Sequence, residues 1–404
     1  MDLRPFGASI ALALAIAMAG PCPAVSDHFA VATSRDSIYI VREGGTWAGG
    51  QSTKSLYTGG SGLSEIAVSG NWVFAADSST GSLVVGRIEN VLGSPSLSHV
   101  RSVDLGITKP TAVSVDALTG GIYVTGNSSS GGVYKYAYVT PDGGDWTGSI
   151  NVSSTSLASA LRDVASLPSG GAVIASELSN DTMAQATHKT PVNGAAAGAT
   201  VQVTGDYKPS IPSAVTTLLD LAYLTSRVGQ EGSDIYGTLE AVSAAGTGTA
   251  LSSNRLPKDL DPQDVVAFTI GADRYLALIG LTRSQTTNVA EAWRIQLDAV
   301  GLPTGALDGT SFVFTGENID GQKCAVSGDG QVFWSTHPGM NSIGATISAL
   351  SASDWSTVLW DGMATSSVSI GNVAAFNYVP EPSSLLALAA FGGLFAAKIR
   401  RRKA

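Results

Sequence analysis

Charged side chains are scarce in this chain: Asp, Glu, Lys and Arg together make up 14% of 404 residues. Histidine and cysteine are scarcer still, at four and two. Of the cysteines, Cys22 falls in or beside an N-terminal export signal, which leaves Cys324 as the one thiol of the processed chain. That excludes an internal disulfide and a multi-cysteine zinc site, so the fold has to be stable from its core alone. The histidines, His28, His99, His188 and His337, stand far apart, and no pair has the helical spacing of a zinc site. There is no Gly-x-Ser-x-Gly elbow, no phosphate-binding loop, and no nucleophile with a matched base, so no catalytic residue is assigned. Gly-rich stretches such as Ser128 to Gly132 read as hairpin turns. Cys324 lies in an apolar run and reads as a buried structural thiol. A long amphipathic helix is also missing, which argues against an α/β fold.

What the chain does have is apolar and turn-forming residues. Apolar types reach 44%, enough for a folded core, and 47 glycines with abundant Ser and Thr point to an all-β chain rich in tight turns. The formal charge is −9. Leaving out 1–24 and 383–404 removes six basic residues of 23 and one acid of 32, so the body carries 17 and 31, a balance of −14. Such a surface repels phosphate backbones and excludes nucleic acid as a natural partner; divalent cations fit it better.

The two ends are address labels. Residues 1–24 read as a signal peptide for the Sec export machinery: Arg4, an apolar run from Ile10 to Ala19, then small residues, with cleavage expected after or near Ala24. Two other readings are an uncleaved anchor and a lipoprotein acylated on Cys22, the latter disfavoured by Pro21. At the other end, residues 379–404 hold three parts in order. Pro380, Glu381 and Pro382 form a stiff extended tripeptide. Ser383 to Ile399 is an apolar stretch of about 17 residues, at the lower limit for a transmembrane helix. Arg400, Arg401, Arg402 and Lys403 close the chain as a basic anchor retained on the cytoplasmic side. The tail resembles the PEP-CTERM sorting signal. The resemblance implies recognition by an exosortase, cleavage near Pro380–Pro382, and transfer from an inner-membrane-anchored precursor to the cell surface or an extracellular matrix.

Between the ends, one pattern recurs at spacings of roughly 44 to 59 residues. Its clearest copy runs from Lys109 to Tyr136: Lys109-Pro110-Thr111-Ala112-Val113-Ser114-Val115-Asp116, Gly120-Gly121, Ile122-Tyr123-Val124-Thr125-Gly126, then Val133-Tyr134-Lys135-Tyr136. An earlier copy starts at Glu65, and later ones near Asp163, Asp220, Asp264 and Lys323. Each holds three or four short strands, the first read as an apolar inner strand and the last as a polar edge, which is the grading of a propeller blade. Val373 to Tyr378 looks like an inner strand without followers, and Phe29–Ala32, Ser37–Val41 and Lys54–Tyr57 like outer strands without an inner one. Joined, they complete one more sheet and remove the open edge. The expectation for 27–378 is therefore a seven-bladed β-propeller closed by pairing N-terminal strands with a C-terminal strand; a β-sandwich pair or a β-helix is the alternative. The stretch 109–136 resembles NHL-type propeller repeats.

One constellation bears on chemistry. The residues just before the apolar runs are Glu65, Thr111, Asp163, Asp220, Asp264, Lys323 and Asn372. In a propeller they would face the central channel. Gathered carboxylates repel and call for a cation or hydrogen bonds, and hard oxygen ligands suit Ca²⁺, so Glu65, Asp163, Asp220, Asp264 and Asn372 are the candidate metal ligands. This resembles calcium-holding propeller hydrolases of the lactonase type. The plainer reading is that each residue caps its own strand, and Lys323 counts against a metal. Trp47, Trp72, Trp146, Trp293, Trp334, Trp355 and Trp360 serve either to stack on sugar faces or to pack between blades. Asn127, Asn151 and Asn180 open Asn-x-Ser/Thr triplets of the kind chance produces in a Ser-rich chain. The leading functional expectation is a non-enzymatic surface or matrix protein, part of a biofilm, that binds polysaccharide or another envelope component. The alternative is an extracellular calcium-dependent hydrolase.

Overall fold

The computed structural model describes residues 27–378 apart from 117, 127–133, 158–159, 178–183, 190–196, 203–209, 232–233, 244–250, 258, 284–287, 305–309, 315–322, 339–344 and 366–369. The expected leader and the tail with Pro380–Pro382 and Arg400–Lys403 lie outside the described residues. Residues 28–377 make one compact unit. Among the described residues no helix is long and apolar enough to cross a membrane.

The body is all β. Its strands are β1 (Phe29–Ser34), β2 (Ser37–Arg42) and β3 (Thr53–Thr58); β4 (Leu63–Ser69), β5 (Trp72–Asp77), β6 (Ser82–Glu89) and β7 (Ser96–Asp104); and β8 (Pro110–Val115), β9 (Ile122–Gly126), β10 (Tyr134–Pro141) and β11 (Ile150–Leu157). There follow β12 (Ala160–Ser166), β13 (Ala172–Glu177), β14 (Ala184–Lys189) and β15 (Ala197–Gln202); and β16 (Ser210–Leu218), β17 (Leu221–Glu231), β18 (Asp234–Ser243) and β19 (Ser252–Arg255). The last are β20 (Leu260–Ile270), β21 (Asp273–Arg283), β22 (Asn288–Leu297) and β23 (Thr310–Val313); and β24 (Lys323–Val326), β25 (Val332–Pro338), β26 (Ala345–Ser351), β27 (Val358–Thr365) and β28 (Ile370–Phe376). They form seven four-stranded sheets, six of them consecutive in sequence and one in the order β28-β1-β2-β3. The innermost strands β4, β8, β12, β16, β20, β24 and β28 each touch the next, and β28 returns to β4. This is the arrangement of a β-propeller.

The ring closes through the chain's own ends. β1 pairs antiparallel with β28 on one side, Phe29 opposite Phe376 and Val31 opposite Ala374, and with β2 on the other. His28, just before β1, binds Glu43 through Nδ1 at 3.2 Å and Asp329, in the β24–β25 turn, through Nε2 at 2.9 Å. Closure satisfies backbone groups that an open edge would leave to water or to other chains.

The core lies between sheets rather than inside any one of them. One cluster joins Tyr223, Leu239 and Ala241 to Leu260, Val265, Leu276 and Ile295 of the following sheet. Another joins Tyr123 and Tyr136 to Leu161, Val164 and Ile174. Tryptophans in the turns before the outermost strands fasten neighbours together. Trp47 donates its indole N–H to the Val91 carbonyl at 2.6 Å, and Trp355 donates to the Ala292 carbonyl at 3.2 Å. Trp146 packs edge-on against Phe74, ring centroids 4.7 Å apart. All three are buried, as is Trp334, so these side chains pack between sheets. Two of them sit in a local motif: the Asp145 carboxylate accepts the Thr147 amide, and that of Asp354 accepts the Ser356 and Thr357 amides, holding the turn that presents the ring.

The burial gradient differs from the expected one. The innermost strands are only half buried: in β4 the buried residues are Leu63, Ile66 and Ala67. The second strands are the apolar ones, with Val73–Asp77 of β5 and all of β9 buried. A second strand is paired on both edges and covered on both faces, whereas an innermost strand has one edge on the channel. Leu221-Ala222, taken above as the opening of an inner strand, accordingly belongs to a second strand, β17.

Two-residue turns join first and second strands at Gly70-Asn71, Leu219-Asp220 and Gly271-Ala272. The first residue of each has positive φ, 54°, 56° and 62°. Glycine adopts this freely, but leucine clashes with its own carbonyl there. Leu219 is also 42% exposed. Leu219→Gly is expected to stabilise the body by roughly 0.5–1 kcal/mol, the relieved strain exceeding the added freedom of the unfolded chain. An unchanged or lower denaturant midpoint would contradict this.

Candidate functional site

The innermost strands share a local irregularity near their starts. An extra residue interrupts pairing between Leu63 and Glu65, Pro110 and Ala112, Leu161 and Asp163, Pro212 and Ala214, and Pro262 and Asp264. The pairing of β28 shifts likewise between Ile370 and Val373. Such bulges re-aim the side chain that follows them. Here the residues that follow are Glu65, Ala112, Asp163, Ala214, Asp264 and, in β28, Asn372; Lys323 opens β24. A threonine of the adjacent strand supports several of these sites: the Thr33 hydroxyl accepts the Asn372 amide at 3.2 Å, and Thr336 accepts that of Lys323 at 3.2 Å.

This register corrects two of the expected members. Asp220 lies in the exposed turn after β16, at the far end of that strand from Ala214, and takes no part in the ring. Thr111 is the extra residue of its bulge, and Ala112 holds the ring position. Glu65, Asp163, Asp264, Lys323 and Asn372 are brought to the same rim.

The rim is an ion cluster with its own cation. Lys323 Nζ lies 3.6 Å from Glu65 Oε2, and the Asn372 side-chain amide donates to the same oxygen. Asp163 accepts the Val164 amide on Oδ1 and, on Oδ2, that of Val215 in the next innermost strand, each at 2.8 Å. Asp264 Oδ2 accepts the Cys324 amide of its own next strand at 2.8 Å. The aspartates thus tie β12 to β16 and β20 to β24. Burial pushes Glu65 up to about 7, against the opposing pull of Lys323 and with the help of Asp163 and Asp264. Burial raises Asp163 to about 6 and lifts Asp264 as well. For Lys323, burial disfavours the ammonium, but the three carboxylates outweigh it and hold the group above its usual value.

The donor set does not fit calcium. Both oxygens of Asp163 are taken by backbone amides, Asp220 is elsewhere, and an ammonium ion already stands among the carboxylates. Among the described residues, no group of three or more His, Cys, Asp or Glu is arranged to hold a metal. Cys324 is a buried free thiol pushed up first by burial and then by Asp264, as suits a structural role. The four histidines belong to four different sheets: His28 leads into β1, His99 lies on β7, His188 on β14 and His337 on β25. Glu240 on β18 is a second kind of buried acid, raised to about 7 by burial, and no sequence pattern marked it.

Beside Glu65 and Lys323 a cavity of about 580 Å³ opens at the rim. Its walls come from the β1–β2 turn (Arg35), the β3–β4 connection (Ser61, Gly62), the start of β4 (Leu63, Ser64), the β5–β6 turn (Ser78, Ser79) and Gly371 of β28. The sequence pattern pointed to Glu65 but to none of these turn residues, which come together only because the ring closes between β28 and β4.

The comparisons with known proteins agree with this architecture and with the tail. Residues 379–403 match the PEP-CTERM protein-sorting motif. None of the curated proteins matches the chain. Among solved structures, a putative 6-phosphogluconolactonase from Bacteroides fragilis is similar at 12% identity and TM-score 0.53, over 89% of this chain and 100% of that one. Kuenenia stuttgartiensis hydrazine synthase is similar at 15% identity and TM-score 0.51, over 72% and 76%. The β-propeller domain of Cps50 (Swd1) from Myceliophteria thermophila is similar at 8% identity and TM-score 0.51, over 74% and 86%. At such identities the likeness is one of fold. The sorting motif implies an exported chain processed by an exosortase.

Two outcomes follow for the rim. Lys323→Met strands three carboxylates and is expected to destabilise the body by about 3–5 kcal/mol. The loss should be smaller at pH 5, where protons replace the ammonium; an equal loss at pH 5 and pH 8 would contradict the cluster. Glu65 has an ordinary value of 4.5 and a folded value of about 7. Its contribution to stability is therefore complete below pH 4.5 and is lost as pH rises through 7. Glu65→Gln removes that dependence, so the melting advantage of wild type over the variant should shrink from pH 5 to pH 8. A constant gap would contradict it.

Proposed function

We propose that this chain is a surface or matrix protein whose seven-bladed propeller is exported behind a removable leader at 1–24. In this reading it is held briefly in the inner membrane by Ser383–Ile399 and Arg400–Lys403, then released to the outside, where it binds polysaccharide or another envelope partner. The observation that carries the reading is the sorting motif at 379–403, directly behind a body that ends with β28. The seven closed sheets support the blade number. The acidic body suits an extracellular binder that avoids nucleic acid. Chemistry at the rim favours binding over calcium-dependent hydrolysis: its carboxylates are occupied by Lys323 and by backbone amides.

Mass spectrometry of the protein recovered from producing cells tests the sorting step. The expected C-terminus lies near Pro380–Pro382. Intact chains carrying Arg400–Lys403 outside the cell would overturn it.

A further inference from the structure

We infer that the rim cavity beside Lys323 is a subsite for an acidic sugar unit, a hexuronate residue of a polysaccharide chain. The inference rests on the binding role proposed above and gives that role a place and a ligand chemistry. At about 580 Å³ the cavity falls within the usual range of ligand sites, roughly 300–1,000 Å³, and has room for more than one sugar ring.

The lining offers both halves of the recognition such a unit needs. Arg35 stands exposed at the mouth, in the turn between β1 and β2. Its Nε donates to the Ser61 carbonyl at 3.4 Å, and its guanidinium forms no ion pair among the described residues. A guanidinium so placed takes a carboxylate through two parallel N–H···O bonds. Deeper in, the polar groups suit hydroxyls. Glu65 spends Oε2 on Lys323 and Asn372, while Oε1 has no hydrogen bond among the described residues and can accept a sugar hydroxyl. The Ser64 hydroxyl lies behind the wall, buried and without a partner, an arrangement that costs stability. Ser61 and Ser79 are fixed by Asp77 and by each other: the Ser79 hydroxyl donates to Asp77 Oδ1 at 2.6 Å, the Ser61 backbone amide donates to Oδ2 at 3.1 Å, and the Ser61 hydroxyl is hydrogen-bonded to that of Ser79. Their remaining lone pairs border the cavity on a rigid frame.

The charge balance selects the acidic unit's orientation. Glu65 lines the floor beside Lys323, and Asp163 and Asp264 stand behind it within electrostatic reach, so the carboxylates outnumber the ammonium and a ligand carboxylate is repelled there and drawn to Arg35 at the mouth. Ring hydroxyls then point inward to Glu65. A neutral hexose would leave Arg35 unused.

The test is calorimetric titration of the protein from producing cells, as wild type and as Arg35→Ala, with oligogalacturonate, its methyl-esterified neutral counterpart, and the cells' own extracellular polysaccharide. Arg35 is exposed, so its loss leaves the body folded, checked by an unchanged melting midpoint. The expected result is saturable binding of oligogalacturonate, weakened tenfold or more in Arg35→Ala, and little binding of the ester by either form. Equal binding by wild type and Arg35→Ala, or preference for the ester, overturns the subsite and leaves polysaccharide binding standing. Failure of wild type to bind any of the three ligands overturns both.

Discussion

Lys323 carries its ammonium group into the rim of the ring, 3.6 Å from Glu65 and within electrostatic reach of Asp163 and Asp264. Five innermost strands contribute to this cluster: β4 with Glu65, β12 with Asp163, β20 with Asp264, β24 with Lys323 and β28 with Asn372. An innermost strand has one edge on the channel and so lacks the pairing that secures the strands outside it. The rim supplies the missing ties: carboxylates accept backbone amides of the next strand, and a single cation holds the carboxylates together. Burial makes each of these groups costly alone and therefore makes the set interdependent.

Farther from the axis the bonding is apolar. Each described core cluster spans two consecutive sheets, so a sheet's buried face is completed by its neighbour and no sheet is stable singly. Indole rings of Trp47, Trp146 and Trp355 reach across the same junctions near the outside, two of them held by Asp-Trp turns. This division explains how a chain with so few charges places several at its centre. The outer junctions need only apolar area, while the channel rim needs polar closure.

Function divides along the same chain in a different way. The tail carries the address, and its recognition depends on linear order: prolines, apolar stretch, basic cluster. The body carries whatever is displayed at that address. The cavity where β28 meets β4 combines an exposed guanidinium at the mouth with a carboxyl group and hydroxyls below, chemistry suited to a polyhydroxylated acidic ligand. Its position at the seam means that ring closure and the site are one event: residues from 35 and 61–65 meet Gly371 only when the chain's ends have paired.

Much of this was legible in the linear chain. The recurrence of apolar runs and glycine turns gave the strands, and the orphan strands at both ends gave the closing sheet, because strand pairing requires that every edge find a partner. The sorting tail is linear by nature and was read directly. Two readings failed, each for its own reason: a bulge shifts side-chain direction by one residue without leaving a mark in composition, and an apolar run marks a second strand as readily as an innermost one. Thr111 was thus taken for Ala112, and the apolar start of β17 made Asp220 pass for a rim residue. The sequence determined which residues are strands, which tail is an address, and that acids precede several inner strands, since these depend on neighbours along the chain. Only the tertiary structure decided that Lys323 neutralises those acids and that Arg35 and Ser64 share a cavity with Glu65, since these depend on distances across a ring that linear order does not encode.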